Sequence, residues 1–346
     1  MIQIKNRTFL LGGFHDHWER ADSENPALLL AALNFYHYDF IVLMDSAPVV
    51  DLVQRTAVAF GNTLRVYPGR EEATGWAHIV TINPRAPALE GDSVNFREEL
   101  RKLRETSDLV ILAHPNYIAW EPLVETGEMD RLFDEGFFDG VQFGPPGSDH
   151  FTERVHFLRK WYLDRRASGK ITALVGGWDL HNTLHLPELP PVLYSSSRPP
   201  DGHFEAPTDN RTIVEASENS LSAICAAVRM GRTAVEDMRT GEIFGPPDFV
   251  SFLESNGYHE IIGELNKKRD AVALSVNGYL KGNREARFSL TKTGKLYLPE
   301  SLEKAKIVEV KKHENITLNT VPLPLARNRF FLPVGWSSEG YSRIWA

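Results

Sequence analysis

The chain has 346 residues, 42% hydrophobic and 24% charged, values of an ordinary folded protein that exclude disorder throughout. Its 38 Lys and Arg against 46 Asp and Glu give a formal charge of −8, which speaks against a broad surface for gripping long nucleic acid. The charge is uneven: residues 1–250 hold 23 basic and 36 acidic side chains and residues 251–346 hold 15 and 10, so two parts of different character are expected.

Up to about residue 250, short apolar runs alternate with helical patterns, the signature of β/α units. Strands are expected at 8–11, 40–44, 64–67, 78–82, 109–113, 140–143 and 172–176, and helices at 24–36, 49–60, 96–106, 151–168 and 220–230. Residues 183–209 show neither period and are rich in Pro and Ser, as in a long surface excursion that serves as a lid or binding loop. A helical stretch at 248–267 reads as the connection between the two parts, placing a connecting helix over 251–270. Beyond it, alternating segments at 271–276, 286–290, 306–310, 315–321 and 329–333, with one short helix at 300–304, predict a small β-sheet or β-sandwich domain over 271–346. That domain could cover the first part, form a homo-oligomer contact or act as a recognition module. Its apolar end, Arg343-Ile344-Trp345-Ala346, is expected to be docked.

A single cysteine, Cys225, excludes an internal disulfide. Within Leu221-Ser222-Ala223-Ile224-Cys225-Ala226-Ala227-Val228 it reads as the buried face of a helix and not as a nucleophile. No run approaches the roughly 20 apolar residues of a membrane span, and the first residues show no small-residue cleavage pattern. A cytoplasmic protein with no membrane partner is expected.

The positions of the 12 histidines carry the functional signal. His15 and His17 form His-x-His just after the first expected strand, where residues i and i+2 of an extended segment point to one side. Glu71 follows the 64–67 strand through Pro68-Gly69, His78 opens the next strand, His114 follows the apolar 109–113 strand, and Asp179 and His181 form Asp-x-His after 172–176. Functional groups at strand ends can converge on one centre in a barrel of parallel strands. Histidine with carboxylate and without thiolate suits Zn²⁺, Mn²⁺ or Fe²⁺, at a site of two or more ions.

In this order the segments resemble the polymerase and histidinol phosphatase (PHP) family of metal-dependent hydrolases over about residues 8–240. His15-Asp16-His17 is similar to its first motif, with Asp22 at a later acidic position; Phe40-Ile41-Val42-Leu43-Met44-Asp45 is similar to its second strand. Pro68-Gly69-Arg70-Glu71, Ala113-His114-Pro115, Gly177-Trp178-Asp179-Leu180-His181 and Gly231-Arg232-Thr233 are similar to the segments that follow. The resemblance implies a distorted seven-stranded (β/α) barrel. It also implies that His15, His17, Glu71 and Asp179 hold one ion, that Glu71 bridges to a second completed by His78 and His114, and that Asp22 and His181 belong to a third position. Ser46 stands where the family carries a histidine for that third ion, which a serine hydroxyl replaces poorly, so two ions are expected. Trp178 replaces a small residue beside the motif aspartate.

The chemistry so implied is hydrolysis by a metal-activated water, with phosphoester substrates as the leading reading. Asp179 and His181 are the expected catalytic residues, His181 as general acid for the leaving group. Arg20, Arg70, Arg85 and Arg232 are the motif-adjacent cations for phosphate oxygens, with Asn116 and Trp178 as further substrate contacts. The expected partner is a small phosphorylated molecule. The same ligands would serve an amidohydrolase acting on C–N or lactone bonds, a nuclease acting on short substrates, or a non-catalytic metal-stabilised binding protein.

Overall fold

The computed structural model describes residues 1–17, 33, 36–59, 63–74, 77–89, 95–115, 126–143, 149–177, 182–184, 192–194, 210–237, 241–267, 271–278, 285–288, 294–301, 304–310, 316–319, 330–337, 340–341 and 344–345. Among the described residues, thirteen strands lie before residue 250: β1 (Ile2–Ile4), β2 (Arg7–Asp16), β3 (Phe40–Leu43), β4 (Arg65–Ala73), β5 (His78–Ile82), β6 (Leu109–Leu112), β7 (Gly140–Gln142), β8 (Ala173–Val175), β9 (Asn182–Leu184), β10 (Val192–Tyr194), β11 (Asn210–Glu215), β12 (Thr233–Asp237) and β13 (Ile243–Phe244). β9 and β10 pair with each other as a two-stranded sheet. The rest form one sheet in the order β13-β12-β11-β2-β3-β4-β5-β6-β7-β8, with β1 on β2.

This mixed α/β sheet has ten strands in its path where the resemblance implies seven. The pairings make seven of the ten run one way, while β5, β11 and β13 run the other. The sheet curls back on itself. Phe14 N–H donates to the Gly176 carbonyl at 3.1 Å. The Gly176 N–H donates to Thr212 Oγ1 at 2.7 Å, so the end of β8 meets β2 and β11.

Burial on both faces explains the continuous apolar runs of the inner strands. In β6, Leu109 and Ile111 join one core with Leu10, Phe14, Phe40 and Val175, while Val110 and Leu112 join another with Val141, Leu174 and Trp161. Helices cover the sheet: α1 (Ala47–Ala59), α2 (Phe96–Thr106), α3 (Glu128–Asp134), α4 (Asp149–Ala167) and α5 (Leu221–Arg229). Side-chain caps start two of them: Asn95 accepts from Glu98 N–H, and Ser220 from Ala223 N–H. Of the helix expected at 24–36, most lies outside the described residues.

The expected single connecting helix is two, α6 (Pro247–Ser255) and α7 (Tyr258–Lys267), broken at Asn256. They are not a free connection, because Phe249, Leu253 and Tyr258 are buried with Ile2, Phe9, Leu11 and Ile213 in a third core. Beyond them lie β14 (Ala271–Gly278), β15 (Glu285–Phe288), β16 (Gly294–Ser301), β17 (Lys304–Val310), β18 (Ile316–Asn319), β19 (Phe330–Ser337), β20 (Gly340–Tyr341) and β21 (Ile344–Trp345). They form a five-stranded sheet, β17-β16-β14-β19-β20, and a three-stranded one, β18-β15-β21. The helix expected at 300–304 is absent from the described residues there: Glu300 and Ser301 end β16, and Lys304 opens β17, its antiparallel partner. Ile344 and Trp345 pair with β15. Among the described residues no helix is long and apolar enough to cross a membrane.

Candidate metal centre

β2 supplies the first two histidines. It extends beyond the expected 8–11, because its pairing with β3 continues from Gly12 to Asp16. His15 therefore lies inside the strand and His17 just after it, with Asp16 alternating to the other face.

Glu71 lies within β4 and not on a turn behind it. Pro68 does not end that strand, since residues 65–68 pair with β3 and residues 69–73 with β5. The change of partner falls at Gly69. A β-carbon there would lie 2.5 Å from Met44 Cε and 2.6 Å from Val42 Cγ1, so only glycine lets β4 pass this close to β3. Alternation then divides the acidic pair. Glu72 is buried on one face, where it accepts from Leu89 N–H at 3.0 Å and pairs with Arg70. Glu71 takes the opposite face, as the diagonal neighbour of His78 across the Ala73–His78 pair. His114 follows β6, and Ala113 N–H donates to the His78 carbonyl at 3.0 Å.

These segments bring four of the expected ligands, His15, His17, His78 and His114, around a fifth, Glu71. Its Oε2 lies 3.1 Å from His17 Nε2 and 3.5 Å from His15 Nε2. Its Oε1 lies 2.6 Å from His78 Nδ1 and 3.0 Å from His114 Nε2. Burial opposes ionisation of Glu71, but the side chains of His114, His15, His17 and His78 gathered around it outweigh that effect and hold the carboxyl far below the usual range. His15, His17 and His114 are buried, and the His78 side chain, 36% exposed, marks the open side.

The donor set fits divalent ions. His15, His17 and Glu71 form one group, and Glu71, His78 and His114 a second, each able to hold an ion. Within the first, the two Nε2 atoms are 2.9 Å apart. A tetrahedral zinc site with ordinary Zn–N bonds has an edge of about 3.3 Å, so a small spreading suffices to grip an ion.

Gln142, at the end of β7, is the residue that the sequence did not single out. It is 1% exposed and bonds to His15, to the His114 backbone and to the Gly177 carbonyl. Its residue type carries no spacing signal, and its role exists only once four strands meet.

The other expected site residues divide. Ser46 is exposed, and its carbonyl accepts from the N–H groups of Val49 and Val50, opening α1. Arg232 is not brought to the cluster. Its carbonyl accepts from Glu215 N–H, and Glu215 pairs with Phe9, six residues before His15 along β2 and about 20 Å away. β12 runs in the same direction as β2, so its start lies at the opposite end of the sheet. Arg70 is engaged with Glu72 and the carbonyls of Ala86 and Pro87, and Arg85 with Asp108. Asp22, Asp179, His181, Asn116, Trp178 and Arg20 lie outside the described residues.

No family model and no curated protein matches the chain. Among solved structures, it is similar to the crystal structure of a two-domain protein containing a predicted PHP-like metal-dependent phosphoesterase from Bacteroides vulgatus. The identity is 16%, over 97% of this chain and 97% of that one, with a TM-score of 0.49.

Proposed function

We propose that this chain is a metal-dependent hydrolase, and specifically a phosphoesterase, built on two divalent ions that share Glu71. One observation carries the reading: the two oxygens of a single carboxylate face two separate histidine pairs, the arrangement a bridging ligand requires. His15, His17 and Glu71, with Asp179, would hold one ion, and Glu71, His78 and His114 the other. Asp22 and His181 would form a third, weaker position, since Ser46 opens a helix instead of offering an imidazole. Zn²⁺, Mn²⁺ and Fe²⁺ all suit these donors.

Divalent ions held by these residues would lower the pKa of a bound water and polarise the oxygen of the group being transferred. The protein's own residues do the rest. Glu71 stays anionic and holds the two histidine pairs to one centre. His78 borders the side from which substrate enters. His181 would donate the proton to the leaving oxygen, and Asp179 would supply a carboxylate ligand to the first ion. Asn116, Trp178 and Arg20 remain the proposed substrate contacts. Phosphoesters are preferred to amides and lactones because the order of motifs, from His15-Asp16-His17 to Asp179-Leu180-His181, resembles the phosphoesterase family. The substrate on this reading is a small phosphorylated molecule of the cytoplasm. The seven strands that share a direction are read as the distorted barrel, and residues 271–346 as a separate β-rich domain.

The test is elemental analysis of protein purified without chelator, followed by a panel of phosphate esters, amides and lactones. Two ions per chain with phosphate release support the reading. Amide or lactone hydrolysis alone moves it to an amidohydrolase, and full occupancy without turnover to a binding protein.

A further inference from the structure

We propose that Gln142 is a positioning residue that fixes His15 with its proton on Nδ1, so that the Nε2 lone pair faces His17 and Glu71. The inference rests on the metal-centre reading above.

Two backbone groups at Gln142 have roles that cannot be exchanged. The Gly177 carbonyl can only accept, and it lies 3.0 Å from Gln142 Nε2. The His114 N–H can only donate, and it lies 3.2 Å from Gln142 Oε1. Together they fix which end of the amide is which, an assignment usually left to choice. Gln142 Oε1 is thus the atom that meets His15 Nδ1 at 2.8 Å. An amide oxygen has only lone pairs to offer, so Nδ1 carries the proton. A neutral imidazole with its proton on Nδ1 bears its lone pair on Nε2. That atom lies 2.9 Å from His17 Nε2 and 3.5 Å from Glu71 Oε2, on the side where an ion would bind.

A free neutral imidazole in water prefers the other tautomer, with the proton on Nε2. His15 is 1% exposed, so water does not compete for its nitrogens and the partner on Nδ1 decides the form. Gln142 reaches further than one ring. The carbonyl that it holds belongs to Gly177, two residues before Asp179 in the sequence, so one side chain ties the first histidine to the root of the Asp-x-His segment.

The experiment uses metal-free, full-length protein labelled with ¹⁵N at histidine, with His15 signals assigned by their loss in His15→Gln. Two-bond proton–nitrogen correlations, recorded where the ring is neutral, read the tautomer directly. Wild type should show His15 protonated on Nδ1. A wild-type spectrum with the proton on Nε2 overturns the inference, whatever any variant does. Gln142→Met removes the acceptor, and Zn²⁺ should then bind about 10–100-fold more weakly as the Nδ1–H signature is lost. Gln142→Glu restores an acceptor and should recover the signature and part of the affinity, which a merely packing role would not. Gln142→Met with unchanged tautomer and unchanged Zn²⁺ affinity overturns the proposal. If that variant does not fold, the wild-type spectrum and Gln142→Glu decide. Wild type protonated on Nδ1 that takes up no Zn²⁺ removes the metal centre and leaves the tautomer assignment standing.

Discussion

Gly177 packs directly on His15: a β-carbon at residue 177 would lie 2.7 Å from the His15 backbone nitrogen and 2.9 Å from its Cβ. The contact sits beside the Phe14–Gly176 hydrogen bond that curls β8 onto β2. Gly177→Ala should therefore push these strands apart at the candidate centre. The expected cost is about 1–3 kcal/mol, as for other overpacked sites, with weaker metal uptake. Urea unfolding and elemental analysis measure the two effects, and an unchanged midpoint would show that the backbone yields freely.

Glu71 and His78 should differ in how many ions they control. Glu71 belongs to both ligand groups and His78 to one. Glu71→Gln should lower the metal content from two ions per chain to none, whereas His78→Ala should leave one. Equal losses in the two variants would contradict a bridging carboxylate.

Much of this centre is legible in the amino-acid sequence. The apolar runs ending at Ala113 and Val175 predict where strands stop, and His114 and the Asp-x-His motif follow them in chain order. Three features are not legible there, each for a physical reason. Pro68-Gly69 reads as a turn because those residue types usually break strands. Here the glycine serves close packing against Val42 and Met44, and the strand continues. β11 escapes the apolar pattern because Arg211 is buried in it, tolerated through Glu236 of the neighbouring strand. Arg232 reads as close to the site because it resembles a motif, but strand direction is set by pairing and puts it at the far end.

Acid stability should report the state of Glu71 in the metal-free protein. Its folded value is held far below the ordinary 4.5 by the four histidines. A depressed carboxyl contributes stability that is present above the unfolded value and lost as pH falls below it, because the unfolded chain binds the proton first. Urea midpoints should therefore decline from about pH 5 to about pH 3. Glu71→Gln has no such proton to bind, and its curve should be flatter over that window. Parallel curves would mean that other carboxylates dominate the acid limb.

Cys225 should behave as a core residue. Burial pushes its thiol up to about 12, and the side chain packs with Ile224, Ala227 and Val228 against the sheet. Little thiolate forms under ordinary conditions, so an aromatic disulfide reagent should react only after denaturant is added. Rapid labelling of the folded protein would contradict the packing of α5.

The third core is held by a buried charge pair, and its loss should be costly in a specific way. Arg211 Nε donates to Glu236 Oε2 at 2.6 Å, and Tyr258 of α7 donates its hydroxyl proton to the same oxygen at 2.6 Å. Arg211, Glu236 and Tyr258 are all buried, joining β11, β12 and α7. Arg211→Met strands an anion without its cation and should cost about 3–5 kcal/mol. Tyr258→Phe removes the hydroxyl that donates to Glu236 and accepts from Arg211 Nη2 at 3.4 Å, and should cost about 1.5–3 kcal/mol. The double variant Arg211→Met with Glu236→Leu leaves no charge behind, so it should be more stable than Arg211→Met alone. If it is less stable, packing and not the stranded carboxylate sets the cost. Thr212, the next residue, ties Gly176 through its hydroxyl. Loosening β11 at Arg211 should therefore also weaken metal uptake at a centre in which Arg211 takes no direct part.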